Sequence, residues 1–192
     1  MARIFDILFS FLGLVLLSPI LTVLIIIGYF DTGSPIFRQE RVGKGMKSLS
    51  LMKFRSMYVN APSVATHLAS ASSITPFGSF IRKTKLNELP QLWNELMGDM
   101  SLVGPRPNLF NQEELIMERD SRGVYAVRPG ITGLAQIDKI DMSTPQLLAE
   151  TDAKMIQELN SIGYFKYIFL TVFGKGFGDR IDLFPWFSTF LN

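Results

Sequence analysis

The residues best suited to chemistry sit between Lys83 and Pro107, K-T-K-L-N-E-L-P-Q-L-W-N-E-L-M-G-D-M-S-L-V-G-P-R-P. Leu89, Leu92, Trp93 and Leu96 recur at helical spacing, so a helix is expected that stops at Gly98. Asn87 suits its N-cap, with Glu88 and Pro90 in the first turn. The start of such a helix offers free N–H groups and the positive end of the dipole. Glu88 there can hold a hard cation such as Mg²⁺ through oxygen. Arg106 is flanked by two prolines and Arg128 is followed by one, so both guanidiniums are pre-ordered for a phosphate or carboxylate. Lys53, Arg55, Arg82, Lys83 and Lys85 add further positive charge. Together these groups are equipment for phosphoryl-type transfer. The plainer alternative is a capped helix with two proline-stiffened arginines in surface turns.

These residues follow an apolar N-terminal segment. Ile7 to Phe30 carries no charge and would be roughly 36 Å long as a straight helix, enough to cross a bilayer. Ser18-Pro19 interrupts it. Pro19 has no N–H for the Val15 carbonyl, so the helix must kink or break, and the Ser18 hydroxyl is the local group able to satisfy what is freed. One reading is a kinked spanning helix, to which hydropathy alone leans. The other is a re-entrant helix-break-helix whose halves, at ~18 Å each, are too short to cross. A simple single-span anchor for a soluble binding domain is a third option. The segment lacks the small-residue cleavage site of a signal peptide.

Composition narrows the class. The chain has 192 residues, enough for one domain and a membrane element, and only 19% are charged. The net charge of +2 is small and says little about nucleic acid, which is not expected as a partner. Arg38, Arg41, Lys44, Lys47, Lys53 and Arg55 nevertheless form a basic block right after the apolar segment, with Glu40 as the one acid among them. Such a block suits a cytoplasmic flank facing anionic lipid or phosphate, or a solvated loop. The absence of cysteine excludes disulfides, thiolate metal sites and a Cys nucleophile.

Elsewhere, Asp31 to Pro35 is a turn, and Ile36 to Met57 reads as short strands about a Gly43–Gly45 turn, with Leu49, Leu51 and Lys53 on one face. Asn60 to Pro76 reads as a mobile loop or weak helix and holds the single histidine, His67, which is given no role. Helices are expected over Phe77–Thr84, Asn111–Arg122 and Thr144–Asn160. Val127–Ile137 reads as a glycine turn followed by a short strand. Ile162 to Asn192 is rich in Phe, Tyr and Trp, which suits interfacial amphipathic helices or an aromatic core packed on the N-terminal helix.

Taken together, R-I-F-D (Arg3–Asp6), Ser18-Pro19, G-S-P-I-F-R-Q-E-R-V-G (Gly33–Gly43), K-F-R-S-M (Lys53–Met57), R-K-T-K-L-N-E-L-P-Q-L-W-N (Arg82–Asn94), G-D-M-S-L-V-G-P-R-P (Gly98–Pro107) and R-P-G-I-T-G-L-A-Q-I (Arg128–Ile137) resemble the monotopic phosphoglycosyl transferases of the bacterial sugar transferase family. The resemblance implies an α+β protein. Residues 1–31 would form a re-entrant membrane helix broken at Ser18-Pro19, and residues 32–192 a small, mostly helical catalytic domain with interfacial helices, at the cytoplasmic face of a bacterial inner membrane. It implies transfer of a phosphosugar from a UDP-sugar to polyprenol (undecaprenyl) phosphate, releasing UMP, in the first membrane step of glycan or exopolysaccharide assembly. It implies Mg²⁺ on Glu88, with phosphates or nucleotide held by the arginines of the Pro-Arg-Pro and Arg-Pro-Gly loops. Its partners would be the substrates, the phospholipid bilayer and, left open, a second copy of the chain. In the family an Asp-Glu pair carries the reaction, the Asp attacking the β-phosphorus to form a covalent phosphosugar ester. Here the pair is Asn87-Glu88, and a carboxamide is a poor nucleophile. An engineered replacement, a natural variant using direct attack or another carboxylate such as Asp99, and a non-catalytic relative that binds nucleotide sugar or scaffolds an assembly complex all fit that substitution.

Overall fold

The computed structural model describes residues 2–61 and 73–173. His67, most of the Asn60–Pro76 segment and the end of the aromatic tail lie outside them.

The apolar segment forms two helices, α1 (Ala2–Leu16) and α2 (Ser18–Thr32), bent by 64° at the break. The Ser18 hydroxyl donates to the Val15 carbonyl at 2.7 Å, the acceptor that Pro19 leaves without its usual partner. Among the described residues no single helix is long and apolar enough to cross a membrane; only the bent pair passes that test together. Most large apolar side chains of the pair are exposed, Phe30 and Leu16 among the most open.

One stripe of α1 is polar and buried. Asp6 accepts from the Ser101 hydroxyl, the Leu102 N–H and the Tyr164 hydroxyl at 2.9, 3.0 and 2.7 Å. Ser10 donates to Glu95 at 2.8 Å, and Arg3 donates to the Glu95 and Leu96 carbonyls. These bonds seat α1 on the rest of the chain, and each satisfies a group that burial would otherwise penalise.

The hairpin β1 (Ile36–Val42) and β2 (Ser48–Phe54) is antiparallel, with Ile36 opposite Phe54 and Val42 opposite Ser48. Gly45 takes φ +63° in its turn, a conformation open to glycine at little cost. Leu49 and Leu51 bury against Met100, and Lys53 continues their face as expected. Helix α3 (Pro76–Lys83) starts at Thr75, whose hydroxyl accepts from the Gly78 N–H and donates to Asp31 at the end of α2.

Helix α4 (Gln91–Met97) begins later than the sequence suggested. Leu86–Glu88 forms a separate 3₁₀ turn, and Pro90, not Asn87, occupies the N-cap. The cause is local: Pro90 has no N–H for the Leu86 carbonyl, which takes the Leu89 N–H three residues on instead. Asn94 then ties α4 to β2. Its amide receives the Met52 N–H and donates to the Ser50 carbonyl, like an added strand residue.

A second, parallel sheet joins β3 (Ser101–Val103) to β4 (Gly130–Thr132). The sequence reading placed a turn at Gly130 and a strand after it; the strand lies on Gly130–Thr132 itself, and Leu134–Ile137 forms the short helix α6. A Cβ at Gly130 would lie 2.1 Å from the Gly104 nitrogen, so the two chains meet only because both positions lack side chains. Helices α5 (Glu113–Ser121), α7 (Pro145–Glu158) and α8 (Ser161–Val172) complete a mixed helix-and-sheet fold. Within α8, Tyr164 is buried and Phe165 meets Phe5 edge-on at 5.0 Å, so this part of the aromatic segment packs on the N-terminal helix, while Ile162, Phe169 and Val172 are exposed.

Candidate active site

Three elements converge on Glu88. The 3₁₀ turn presents the carboxylate, the end of β2 presents Lys53, and the loop after β3 presents Arg106. The Arg106 guanidinium donates to Glu88 Oε1 at 2.7 Å, and the Lys53 ammonium lies 3.5 Å from the same oxygen. Lys85, just before the turn, takes φ +58°, an uncommon conformation for a residue with a side chain and a form of strain that gathers at functional sites.

The electrostatics follow from this packing. Burial would raise the Glu88 carboxyl, but Arg106 and then Lys53 outweigh it and hold it at about 2. Glu88 in turn raises Arg106 further above its already high value. Burial lowers Lys53 to about 8, with the charges of Arg106 and Arg41 acting in the same direction and Glu88 opposing. Arg41, buried behind the loop, is itself lowered to about 10 by burial and by Arg106. One carboxylate therefore pairs with two cations, and Lys85 and Arg41 add to the positive charge around them, an excess that suits a further anion.

A cleft of about 350 Å³ opens beside this cluster. Glu88, Arg106, Lys85 and Thr132 line its polar part, and Leu89, Leu92, Leu102, Ile131, Ile168 and Val172 its apolar walls. A cleft lined by both charged and apolar side chains suits an amphiphile with an anionic head.

The remaining candidate residues bond to other groups. Arg55 donates to the Ser34 carbonyl at 2.9 Å and its guanidinium stands over the Phe37 ring, so it braces the turn after α2. Arg82 donates to the Ser56 hydroxyl at 2.9 Å. Arg128 donates to the Gly98 carbonyl at 2.7 Å, beyond the C-terminal end of α4, whereas Glu88 precedes its start. Those ends are ~10 Å apart along a helix of this length. Asp99 is at the same far end and exposed, so it is badly placed to replace a nucleophile at position 87. Asn87 itself is partly exposed in the 3₁₀ turn, one residue from Glu88.

Sequence reading missed the support beneath this site. Arg41, Asn94, Asn108, Arg119 and Asp152 are all buried, and all hold backbone or one another in place. The available signal was a charge on an apolar face: Arg119 lies one turn after Leu115, and Asp152 sits among Leu148, Ala149 and Met155.

The residues present make only part of a magnesium site. No group of three or more His, Cys, Asp or Glu is placed to hold a metal among the described residues. Glu88 offers one carboxylate, already shared by two cations. That matches the habit of Mg²⁺ to take one or two carboxylates and complete its shell with substrate phosphates and water.

The chain is similar to known proteins over most of its length. A protein of Klebsiella pneumoniae named UDP-glucose:undecaprenyl-phosphate glucose-1-phosphate transferase is 41% identical over 190 residues, covering 93% of this chain and 40% of that protein. The UDP-galactose-lipid carrier transferase of Erwinia amylovora is 39% identical over 155 residues, 70% of this chain and 32% of the relative. The chain thus spans well under half the length of these two. The exopolysaccharide production protein PSS of Rhizobium leguminosarum bv. phaseoli, 36% identical, is matched over 97% of its length and 91% of this chain. The family described as bacterial sugar transferase matches residues 1–176, which take in the broken helix pair, the Glu88 cluster and the loops around it, and the chain belongs to that family.

Proposed function

We propose that this chain moves a sugar 1-phosphate from a UDP-sugar to polyprenol (undecaprenyl) phosphate, leaving the sugar on a polyprenyl diphosphate and releasing UMP. The observation that carries this reading is the Glu88–Arg106–Lys53 cluster, of which Glu88 and Arg106 line a cleft with apolar walls. Phosphates suit the excess cations, and an isoprenoid chain suits the apolar walls. The Klebsiella relative's name, with UDP-glucose and undecaprenyl phosphate, supports this pair of substrates, and the Erwinia relative's name supports a UDP-sugar and a lipid carrier.

Arg106 and Lys53 bind and orient the diphosphate, countering the charge that builds on its oxygens as the bond to UMP breaks. Arg106 gives one hydrogen bond to Glu88, and its fork carries further N–H donors for phosphate. Glu88, ionised throughout the neutral range, and the Asn87 amide oxygen would hold Mg²⁺ together with substrate phosphates. When bound, the ion would polarise the phosphate oxygens and neutralise their charge. With an amide at 87, the route open to this chain is direct attack. A phosphate oxygen of the acceptor bonds to the β-phosphorus, the bond from that phosphorus to the bridging oxygen breaks, and UMP departs with the electron pair.

The broken pair α1–α2 would enter and leave the cytoplasmic face of a bacterial inner membrane, with the open face of α8 at the interface. The 64° bend, the exposed apolar surface and the basic block after α2 support this placement. An Ala2→Cys variant should react only with reagents that reach the cytoplasm, and periplasmic labelling would refute re-entry.

A second reading, a non-catalytic nucleotide-sugar binder or scaffold, is favoured by Asn87 alone. Release of UMP from a panel of UDP-sugars, with undecaprenyl phosphate and Mg²⁺, separates the two. Acceptor-dependent UMP supports transfer; tight UDP-sugar binding without UMP supports the binder.

A further inference from the structure

The loop that carries Arg106 is fastened at every carbonyl from Gly104 to Asn108. Gly104 O receives the Gln136 amide at 3.3 Å, and Pro105 O receives the Gly130 N–H at 2.9 Å. Arg106 O receives an Arg119 N–H at 2.9 Å, Pro107 O an Arg41 N–H at 3.4 Å, and Asn108 O the Val42 N–H at 2.9 Å. Two of these five donors are buried guanidiniums, an expensive way to satisfy a carbonyl.

Arg119 is the better built of the two. Its Nε and one terminal nitrogen both donate to Asp152 Oδ2, at 3.0 and 2.6 Å. Its other terminal nitrogen serves the Arg106 carbonyl and the Asn108 side-chain oxygen, at 2.9 and 2.8 Å. Tyr125 donates to that same Asn108 oxygen at 3.0 Å. Arg119 is 1% exposed, and Asp152 and Asn108 are 0% exposed. A buried ion pair is a poor source of stability compared with apolar residues of the same volume. What it does supply is direction: the guanidinium is flat, so bonds to Asp152 on one side fix where the N–H on the other side points. That N–H lands on the main chain of the residue whose side chain reaches Glu88. A shift of about 1 Å there is enough to cost a site much of its effect.

We propose that Arg119, backed by Asp152, is a positioning residue that aims Arg106 at the substrate diphosphate. The proposal rests on the functional reading above and adds residues that touch neither substrate nor Glu88.

The test is a double-mutant cycle on the full chain in lipid nanodiscs, with UDP and Mg²⁺ as the probe and calorimetry as the readout. Arg119→Lys keeps the charge and loses the fork, and should weaken UDP binding about tenfold. Arg106→Ala should weaken it at least as much. The pair together should be no weaker than Arg106→Ala alone, within about twofold, because an aiming device has no effect once its target is gone. Asp152→Asn, which keeps shape and one acceptor oxygen, should give a smaller loss of the same kind and carries the test if Arg119→Lys fails to fold. A folded Arg119→Lys or Asp152→Asn protein with unchanged UDP affinity overturns the positioning role alone. Losses that multiply across the cycle also overturn it, since they mark a general structural effect. A parent chain that does not bind UDP overturns the functional reading itself, and the positioning with it.

Discussion

Two glutamates seven positions apart have opposite fates. Glu88 precedes α4, faces Arg106 and Lys53, and stays ionised, its carboxyl held at about 2. Glu95 lies within α4 against α1, where burial pushes its carboxyl up to about 8. The Asp6 charge adds to that rise, while the Ser10 hydroxyl and Arg3 oppose it. Glu95 is fully buried and Glu88 is 18% exposed, yet burial pushes both carboxyls upward, so burial alone does not decide. What differs is where the cations go. Arg106 turns one N–H to the Glu88 carboxylate itself, whereas Arg3 spends both terminal nitrogens on the Glu95 and Leu96 carbonyls. The molecule keeps a charge on the carboxylate that faces the cations, and a proton where α1 is seated.

The comparison is most sharply tested by adding a carboxylate beside Glu88. Asn87→Asp should convert a chain that forms no covalent adduct at residue 87 into one that carries a phosphosugar there. Mass spectrometry after mixing with UDP-sugar and Mg²⁺, without acceptor, reads this directly. Acceptor-dependent turnover by the Asn87 parent without an adduct would support the direct attack proposed above, and an adduct at residue 87 of the parent would overturn it.

Removing the Glu88 charge should have the next largest effect. Glu88→Gln leaves Lys53 and Arg106 facing an amide, and Mg²⁺-dependent UDP-sugar binding should fall by ~100-fold or more, the scale of lost charge-assisted contacts. Calorimetric titration with and without Mg²⁺ checks it, and unchanged binding would move the metal site elsewhere. The parent should also bind little Mg²⁺ until a diphosphate is present, because Glu88 alone already faces two cations.

The Lys53 ammonium gives a smaller, pH-dependent effect. Lowered to about 8, it is cationic at neutral pH and loses its charge as pH rises through that value, while Glu88 stays anionic. UDP affinity should therefore fall several-fold on going from about pH 7 to about pH 9, the step expected from losing one nearby charge. Lys53→Arg, which does not deprotonate in that range, should flatten the profile.

Glu95 should matter least to binding and show itself in stability. Its native carboxyl holds a proton from its ordinary 4.5 up to about 8, whereas the unfolded chain has released it. Stability from this group is full below about 4.5 and is lost as pH rises toward about 8. Glu95→Gln should remove that slope, measured by denaturant unfolding across the window, and leave UDP affinity unchanged.

The difference between the glutamates also marks how far the sequence could be read. Ser18-Pro19 announced the helix break, and even the hydroxyl that repairs it, because the relevant atoms lie within one turn. The hairpin face of Leu49, Leu51 and Lys53 followed from a period of two, and the stiffness of the Pro-Arg-Pro loop from proline rings. The start of α4 was misjudged by a few residues because Asn87 has the right chemistry for a cap while Pro90 dictates the hydrogen bonding. Local covalent chemistry therefore determined the breaks, the strands and the residue types gathered around residues 87 and 88. Tertiary structure alone decided which cations meet Glu88, since Lys53 lies 35 residues away and Arg106 lies 18. It alone sent Arg128 to Gly98, and buried Arg119 on Asp152 beneath the loop. The physical reason is one of range. Backbone sterics act over a few neighbouring atoms, whereas ionisation and pairing depend on burial and on charges that only packing brings together.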